Sequence, residues 1–142
     1  MKNNINVLHI VAGDLSGGAA RGAYWLHLGL RELGVNSKIL TNSKVTLGDD
    51  NVTTILKDKK SKIENMIRSQ LDGLPARFYK NRKKIIFSTG FVGFNFTKTK
   101  EYKEADIIHL HWINSGFVNV KDLSKIDKPI VWTMRDMWPF TG

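Results

Sequence analysis

Five short apolar runs, separated by polar or glycine-rich stretches, set the pattern of this chain. They fall at residues 5–12, 35–41, 52–56, 106–110 and 129–133. The first run is almost continuously apolar, which is typical of a strand buried on both faces of a sheet. Because a helical pattern lies between the first two runs, the order strand, helix, strand matches a βαβ unit. We therefore predict an α/β fold with a Rossmann-like parallel sheet and flanking helices.

Two stretches carry a helical period. In the first, apolar residues recur three or four positions apart, and we expect this stripe to face the core: Ala19, Ala23, Leu26, Leu30 and Leu33. Ser16 is predicted to cap this helix, and Gly34 to follow its last turn. The second helix, at residues 59–74, is basic and ends at Gly73 and Pro75. Its apolar residues share one side: Ile63, Met66, Ile67, Leu71 and Leu74.

The segment at residues 76–102 has no clear period, and its aromatic residues alternate with lysines, arginines and glycines. A stretch of this length without secondary structure is unusual in a compact domain, so we expect a functional insertion or a partly mobile segment. A short helical piece is predicted at residues 122–126, and no closing helix is expected after the last strand.

Three motifs follow three of the predicted strands. Glycines at 13, 17, 18 and 22 follow the first strand, His111 and Trp112 follow the fourth, and Arg135 and Asp136 follow the fifth. In an open parallel sheet, ligands bind beyond the carboxyl ends of the strands, at the point where strand order reverses. We therefore expect the first and fourth strands to flank that point, and all three loops to face one crevice.

The glycine stretch has the chemistry of an anion site. Gly17 and Gly18 let the backbone approach a ligand closely, and the helix that they open has free N–H groups that favour phosphate or carboxylate. Arg21 adds a positive charge in the same turn. The stretch matches neither the G-x-G-x-x-G dinucleotide pattern nor a P-loop. The alternative is a tight turn whose glycines serve packing alone.

The histidines divide into a candidate catalytic residue and structural ones. His109 and His111 are two residues apart and share one face of a strand. Because the sequence places no third ligand nearby, we predict no metal site. His111, at the carboxyl end, is suited to accept a proton or a hydrogen bond from a substrate hydroxyl. His9 and His27 are predicted to be structural.

The last motif offers charge and aromatic surface. Arg135 is suited to clamp a phosphate or carboxylate, and Asp136 to orient a histidine, although the two also suit a simple ion pair with each other. Trp112 and Trp138 lie beside polar loops. Such rings either stack on a flat ligand face or pack at the rim of a site.

Composition and charge limit the classes of protein to which this chain can belong. The 142 residues carry a formal net charge of +9 and no cysteine, which excludes disulfides and thiolate metal sites and favours a cytoplasmic location. The first residues lack a signal-peptide pattern, and no run is long enough to cross a bilayer. Between Lys57 and Lys84, basic residues far outnumber acidic ones. Such a stretch attracts nucleic acid, an anionic membrane or a phosphorylated ligand, or forms an ordinary lysine-rich surface.

Four segments share a pattern with a known family. They are V-L-H-I at residues 7–10, G-G-A-A-R-G-A at 17–23, D-I-I-H-L-H-W at 106–112 and P-I-V-W-T-M-R-D-M-W-P-F-T-G at 129–142. With these segments, the chain resembles the N-terminal domain of family 4 glycosyltransferases, which are retaining enzymes of the GT-B fold. The last segment is similar to a branch with T-x-H-D-x-W-P-F-T-G, although Arg135 stands where that branch has histidine.

The resemblance implies two Rossmann-like domains with a cleft between them. The N-terminal domain would bind the acceptor, and a C-terminal domain with a glutamate-containing motif would hold the nucleotide-sugar donor. Residues 1–142 are then expected to be an incomplete N-terminal domain without its donor-binding partner, and inactive when isolated.

The resemblance also implies an activity, which is transfer of a sugar from a nucleotide-diphosphate donor, with retention of configuration, to a carbohydrate or lipid-linked acceptor. No metal or cofactor is implied. By position, Gly17 and Gly18 would lie against the donor phosphates, and His111 would hydrogen-bond the transferred sugar. Arg135 in place of histidine argues against a proton-handling role there and retains a phosphate- or sugar-binding one.

Basic residues near an anionic surface contribute about 1 kcal/mol each, so peripheral attachment to the inner face of a membrane is a further hypothesis. Two other functions stay open. A cofactor-binding domain of an oxidoreductase has the right fold, but Thr41 and Asn42 stand where an acidic residue would end the second strand. A nucleic-acid-binding module has only charge in its support, and we expect no nucleic-acid partner.

Overall fold

A five-stranded, all-parallel sheet forms the centre of the computed structural model, which describes residues 4–44, 47–81 and 87–141. The strands are β1 (Asn6–Val11), β2 (Asn36–Thr41), β3 (Val52–Thr54), β4 (Ile107–Leu110) and β5 (Ile130–Trp132). Their order in the sheet is β3-β2-β1-β4-β5. This order confirms the predicted α/β, Rossmann-like fold, and it places β1 and β4 side by side where the strand order reverses.

The register of β1 and β4 aligns their histidines. His9 pairs with His109, and Ile10 pairs with Leu110. A carboxylate clip at the start of β4 holds this register, because Asp106 Oδ2 accepts hydrogen bonds from Asn6 N at 2.8 Å and from Asn6 Nδ2 at 2.9 Å. Successive side chains alternate between the faces of a sheet, so this register decides which residues share a face.

One face of the sheet carries the larger apolar core. Leu8, Ile10 and Leu110 alternate onto it and are almost completely buried. Phe96 and Phe117, from the connections on either side of β4, complete the cluster and are fully buried. Burying one such aromatic side chain contributes roughly 2–3 kcal/mol, so this face supplies most of the hydrophobic stabilisation.

The other face lies beneath α1 (Gly18–Glu32) and is built from smaller residues. The predicted stripe of α1 is partly wrong, since Leu33 is 81% exposed and Leu26 is also exposed, whereas Ala20, Ala23 and His27 are buried. The helix is rotated because His27 points inward to polar partners under the helix. Gly34 follows the helix with φ +79°, as predicted.

Helix α2 (Lys59–Asp72) has inverted packing: it exposes its apolar residues and buries a polar one, the reverse of an ordinary surface helix. Its N-terminus has a capping box in which Asp58 and Ser61 bond each other's backbone N–H groups. Asp72 is its buried residue, whereas its apolar residues are exposed: Ile63, Met66, Ile67 and Leu71. Gly73 ends the helix as predicted.

The remaining helices are short, and the three α-helices among them were not predicted. They are α3 (Leu74–Arg77), α4 (Lys100–Glu104) and α5 (Trp138–Thr141), with a 3₁₀ turn at Val120–Lys125 where a helical piece was expected. The expectation that no helix follows β5 is therefore wrong, because α5 lies there. Part of the aperiodic segment is well packed, because the Asp72 carboxylate accepts bonds from Ser88 and from the backbone of Gly90. Residues 82–86 of that segment lie outside the described residues.

Candidate functional site

The start of α1 opens onto free space at the carboxyl edge of the sheet. Gly17 is the N-cap in an extended conformation, and no side chain caps this helix. A Cβ placed on Gly17 or Gly18 would meet nothing within 4 Å. The prediction that Ser16 caps the helix is wrong, because its hydroxyl donates instead to Asp14 Oδ1 at 2.6 Å. The N–H groups of the first turn are therefore left for a ligand or solvent.

The glycine loop is held in place from β2 and from the loop after β4. The Thr41 hydroxyl donates to the Gly13 carbonyl, and Asn42 Oδ1 accepts from Gly13 N at 3.0 Å. Ala12 N donates to the Trp112 carbonyl at 2.7 Å. The residues that end β2 thus support the loop, and the glycine loop and the His111 loop are bonded directly to each other.

His111 is a buried imidazole at the point where β4 ends. Its backbone N–H donates to the Ile10 carbonyl at 3.0 Å, so the pairing of β1 and β4 continues to this residue. Its Nε2 lies 2.9 Å from Nδ1 of His9. Burial, with the neighbouring His109 and Arg135, lowers the pKa of His111 to about 3, and the imidazole is therefore neutral at pH 7.

Arg135 joins the imidazole to the start of α1. Its Nη2 donates to Nδ1 of His111 at 3.4 Å. Its guanidinium also lies against α1 at Gly22, where a Cβ would come within 2.8 Å of Nη1. Gly22 therefore leaves the space that the guanidinium occupies. The glycine belongs to the sequence motif, but nothing in the sequence indicated that it accommodates a cation from the loop after β5.

Arg135, His111 and the glycine loop therefore meet at one place, which we call the crevice. Arg21 lies in the first turn of α1, and its side chain is exposed. The convergence expected from the sequence is observed for Arg135, His111 and Gly22.

Asp136 and the two tryptophans form the edge of the crevice. The Asp136 carboxylate accepts from Trp112 Nε1 at 2.9 Å and from Trp138 N at 3.1 Å. Trp138 Nε1 donates to the Ser88 carbonyl at 2.7 Å, and both rings pack against the larger apolar core. Within the described residues, no bond joins Asp136 to Arg135 or His111. These three residues therefore brace the loop after β5.

All four histidines lie between the sheet and α1. His109 stacks on His111 with ring centroids 4.3 Å apart, and its Nε2 lies 2.8 Å from the Thr133 hydroxyl. His9, His109 and His111 each bring one ring nitrogen within 4.8 Å of the others. The sequence missed His9 as a third member because it comes from the neighbouring strand, opposite His109.

This cluster has the residue type of a metal site, but its hydrogen bonds use the lone pairs that a metal would need. Arginine is always a donor, so His111 Nδ1 accepts from Arg135. In a neutral imidazole the other nitrogen, Nε2, then carries the proton, and it faces His9 Nδ1. This arrangement favours a hydrogen-bonded cluster over a metal centre.

A cavity among the described residues lies away from this chemistry. It lies at the amino end of β2, has a volume of about 540 Å³ and is lined by Arg31, Gly34 and Asn36 among others.

Comparisons with known protein families, with curated proteins and with solved structures found no match to the chain.

Proposed function

We propose that this chain is the acceptor-side, N-terminal domain of a retaining glycosyltransferase of the GT-B type. The enzyme would move a sugar from a nucleotide-diphosphate sugar to a carbohydrate or lipid-linked acceptor, in polysaccharide or glycolipid assembly. The observation that carries this proposal is the position of Arg135, which lies between the uncapped start of α1 and the neutral His111. The nucleotide sugar is a substrate here, and no cofactor is required.

Electrostatics at the crevice support an anionic ligand. A helix N-terminus carries a partial positive charge, which disfavours cations near it and favours phosphate. Yet Arg135 lies against the early turns of α1, and Arg21 is part of its first turn. Two cations near the positive end of a helix are stabilised when an anion binds beside them. A diphosphate matches this demand, because a guanidinium binds phosphate oxygens in a bidentate manner.

The chemistry of transfer assigns separate roles to these groups. The bond between the sugar and the diphosphate breaks, the acceptor oxygen bonds to the sugar on the same face, and the acceptor proton leaves with solvent or the phosphate. Arg135 and the α1 N-terminus would stabilise the charge that develops on the departing diphosphate. Neutral His111 would accept a hydrogen bond from a sugar hydroxyl, and Trp112, Asp136 and Trp138 would hold the crevice edge.

The alternatives have less support. An oxidoreductase cofactor would require an acceptor for the ribose at the end of β2, but Thr41 and Asn42 are bonded to Gly13. A nucleic-acid-binding module has only the basic charge of α2 and its surroundings in its favour.

Replacing Gly22 with alanine is expected to weaken binding of nucleoside diphosphates by tenfold or more. The added methyl group displaces the guanidinium of Arg135, and a charge-assisted hydrogen bond is worth roughly 1.5–3 kcal/mol. Isothermal titration calorimetry with pyrophosphate and with nucleoside diphosphates measures this effect, because the crevice is proposed to contact the diphosphate group that all of them carry. Gly29→Ala is the matched control, since Gly29 lies in the same helix and its Cβ position is open. Equal affinities in the two variants would contradict the role of Arg135.

We further propose that α2 attaches the protein to an anionic membrane, at the inner face of the cytoplasmic membrane. Among the described residues, no helix combines the length and apolar character needed to cross a bilayer. The inverted packing of α2 supports peripheral attachment. Met66 is 60% exposed and Ile67 is 49% exposed, and exposed lysines flank them at the helix start. Apolar residues beside lysines are typical of interfacial helices.

Ile67→Ser is expected to reduce co-sedimentation with vesicles rich in anionic lipid by about tenfold, because it removes one inserted apolar side chain. Leu33→Ser is the matched control, since Leu33 is at least as exposed but lies at the end of α1. Binding that does not depend on anionic lipid, or that falls equally in both variants, would reject membrane attachment through α2.

A further inference from the structure

A buried line of hydrogen bonds runs beneath α1 from the crevice to the opposite end of the sheet. Its heavy-atom distances are Arg135 Nη2 to His111 Nδ1, 3.4 Å; His111 Nε2 to His9 Nδ1, 2.9 Å; His9 Nε2 to Ser37 Oγ, 3.0 Å; Ser37 Oγ to His27 Nδ1, 2.8 Å; and His27 Nε2 to Asp49 Oδ2, 3.3 Å. We call these six residues the histidine chain. Its middle members, His9, Ser37 and His27, are almost inaccessible to solvent.

The two ends of the histidine chain have fixed roles. The Arg135 guanidinium only donates, and an ionised Asp49 carboxylate only accepts. Burial raises the pKa of Asp49, but hydrogen bonds from Asn51 and His27 outweigh burial and hold the pKa below its usual value. Arg31, with Nη1 at 3.4 Å, and the Tyr24 hydroxyl, at 3.5 Å, face the same carboxylate. Asp49 is therefore ionised near neutral pH.

The three imidazoles within the chain are neutral. Burial is the largest cause that lowers the pKa of His9, to about 2, and that of His111, to about 3. Burial also lowers the pKa of His27 and outweighs the opposing effect of Asp49. A neutral imidazole has one donor nitrogen and one acceptor nitrogen, so fixing one of them fixes the other.

From the Arg135 end, the proton positions of His111 and His9 follow. His111 Nδ1 accepts from Arg135, so its Nε2 carries the proton and donates to His9 Nδ1. The proton of His9 is then on Nε2 and is donated to the Ser37 oxygen.

From the Asp49 end, the same positions follow independently. The carboxylate accepts from His27 Nε2, so His27 Nδ1 is an acceptor and must receive the Ser37 hydroxyl proton. The Ser37 oxygen then accepts from His9 Nε2, which leaves His9 Nδ1 to accept from His111. The two charged ends thus impose one direction on every bond, without a conflict at any link.

We propose that Asp49, His27 and Ser37 are positioning residues that fix His111 in a single tautomer, with the proton on Nε2 and the Nδ1 lone pair on the side of Arg135. When Arg135 turns to a bound anion, the Asp49 end still holds this tautomer, and the Nδ1 lone pair accepts a substrate hydroxyl. The identity of that hydroxyl as a sugar hydroxyl rests on the proposed function. The fixed tautomer itself does not depend on the proposed function.

The test uses nitrogen NMR of the ligand-free protein labelled with ¹⁵N-histidine, in which protonated and unprotonated ring nitrogens resonate far apart. Wild type and Arg135→Ala are both expected to show His111 with protonated Nε2 and unprotonated Nδ1. In the Arg135→Ala background, Ser37→Ala disconnects the Asp49 end. Both His111 nitrogen resonances are then expected to shift toward each other as the two tautomers exchange.

Thr133→Ala in the same background is the matched control, because it removes a hydroxyl from His109, which lies outside the histidine chain, and should leave the His111 resonances in place. Asp49→Ala, which removes the final acceptor of the histidine chain, should repeat the effect of Ser37→Ala without removing the Ser37 hydroxyl. A single His111 tautomer in both disconnected variants would overturn the proposal. So would stoichiometric zinc binding that displaces the proton from His111 Nε2. The NMR test uses no ligand and is therefore independent of the proposed function. Failure of the crevice to bind a diphosphate would count against the proposed function and would leave the tautomer proposal standing.

Discussion

Lowering the pH from 7 to 5 is expected to reduce the free energy of unfolding by about 4 kcal/mol. The pKa values of His9 and His111 in the folded protein are about 2 and about 3, against 6.5 for an unperturbed histidine. Between these values the unfolded chain binds protons that the folded chain does not, so stability is complete above pH 6.5 and is lost as the pH falls. Each of the two histidines contributes about 2 kcal/mol over this interval.

Urea unfolding at pH 7, 6 and 5, followed by tryptophan fluorescence, measures this loss. Carboxylates remain largely ionised at pH 5, so they contribute little to the difference. His9→Gln should be less stable at pH 7 but should lose only about half as much stability on acidification. A free energy of unfolding that is constant from pH 7 to pH 5 would show that the histidines are not held neutral by burial.

Gly116→Ala is expected to lower the free energy of unfolding by more than about 3 kcal/mol. Gly116 has φ +70°, which an L side chain rarely adopts, and an added Cβ would lie 2.6 Å from the backbone carbonyl carbon of Arg68 in α2. Because the obstacle is helix backbone rather than a flexible side chain, α2 must move away from the loop that follows His111.

Gly48→Ala separates the cost of the left-handed conformation from the cost of the contact with α2. Gly48 has φ +65°, but no atom lies within 4 Å of its Cβ position. It should cost only about 1 kcal/mol, the penalty of the left-handed conformation. Thermal and urea unfolding of the two variants give the comparison. Equal losses would mean that contact between Gly116 and α2 does not limit stability.

The sheet was predictable because its information is local. Continuous apolar runs, a glycine after α1 and motifs at the strand ends together predict the parallel order and the meeting of the His111 and glycine loops. The strand bounds differ from the predicted runs by only one or two residues at most ends, because apolar runs extend slightly beyond the paired residues.

The orientation of the helices was not predictable from periodicity. In α1 the apolar stripe suggested burial of Leu26 and Leu33, but buried polar partners turn His27 inward. In α2, Asp72 is buried because it bonds the distant Ser88 and Gly90. These bonds join residues far apart in sequence, and a helical period contains no information about them.

The candidate site was also only partly predictable, because its contacts join residues far apart in sequence. Arg135 and His111 were predicted as candidates from the sequence, but the fit of a guanidinium against Gly22 and the alignment of His9 with His109 depend on tertiary contacts. Asp136 illustrates the converse, since its proximity in sequence to Arg135 suggested an ion pair, whereas its carboxylate bonds Trp112.

The hydrogen bonds between Asn6 and Asp106 determine where a residue can be inserted without moving the histidines to the other face of the sheet. One residue inserted between Asp106 and His109 would turn the imidazoles of His109 and His111 to the opposite face, because side chains alternate along a strand. They would then meet the aromatic rings of the larger core instead of His9. An insertion ahead of Asp106 leaves this parity intact, so natural or engineered additions belong before the carboxylate and never in the three positions after it.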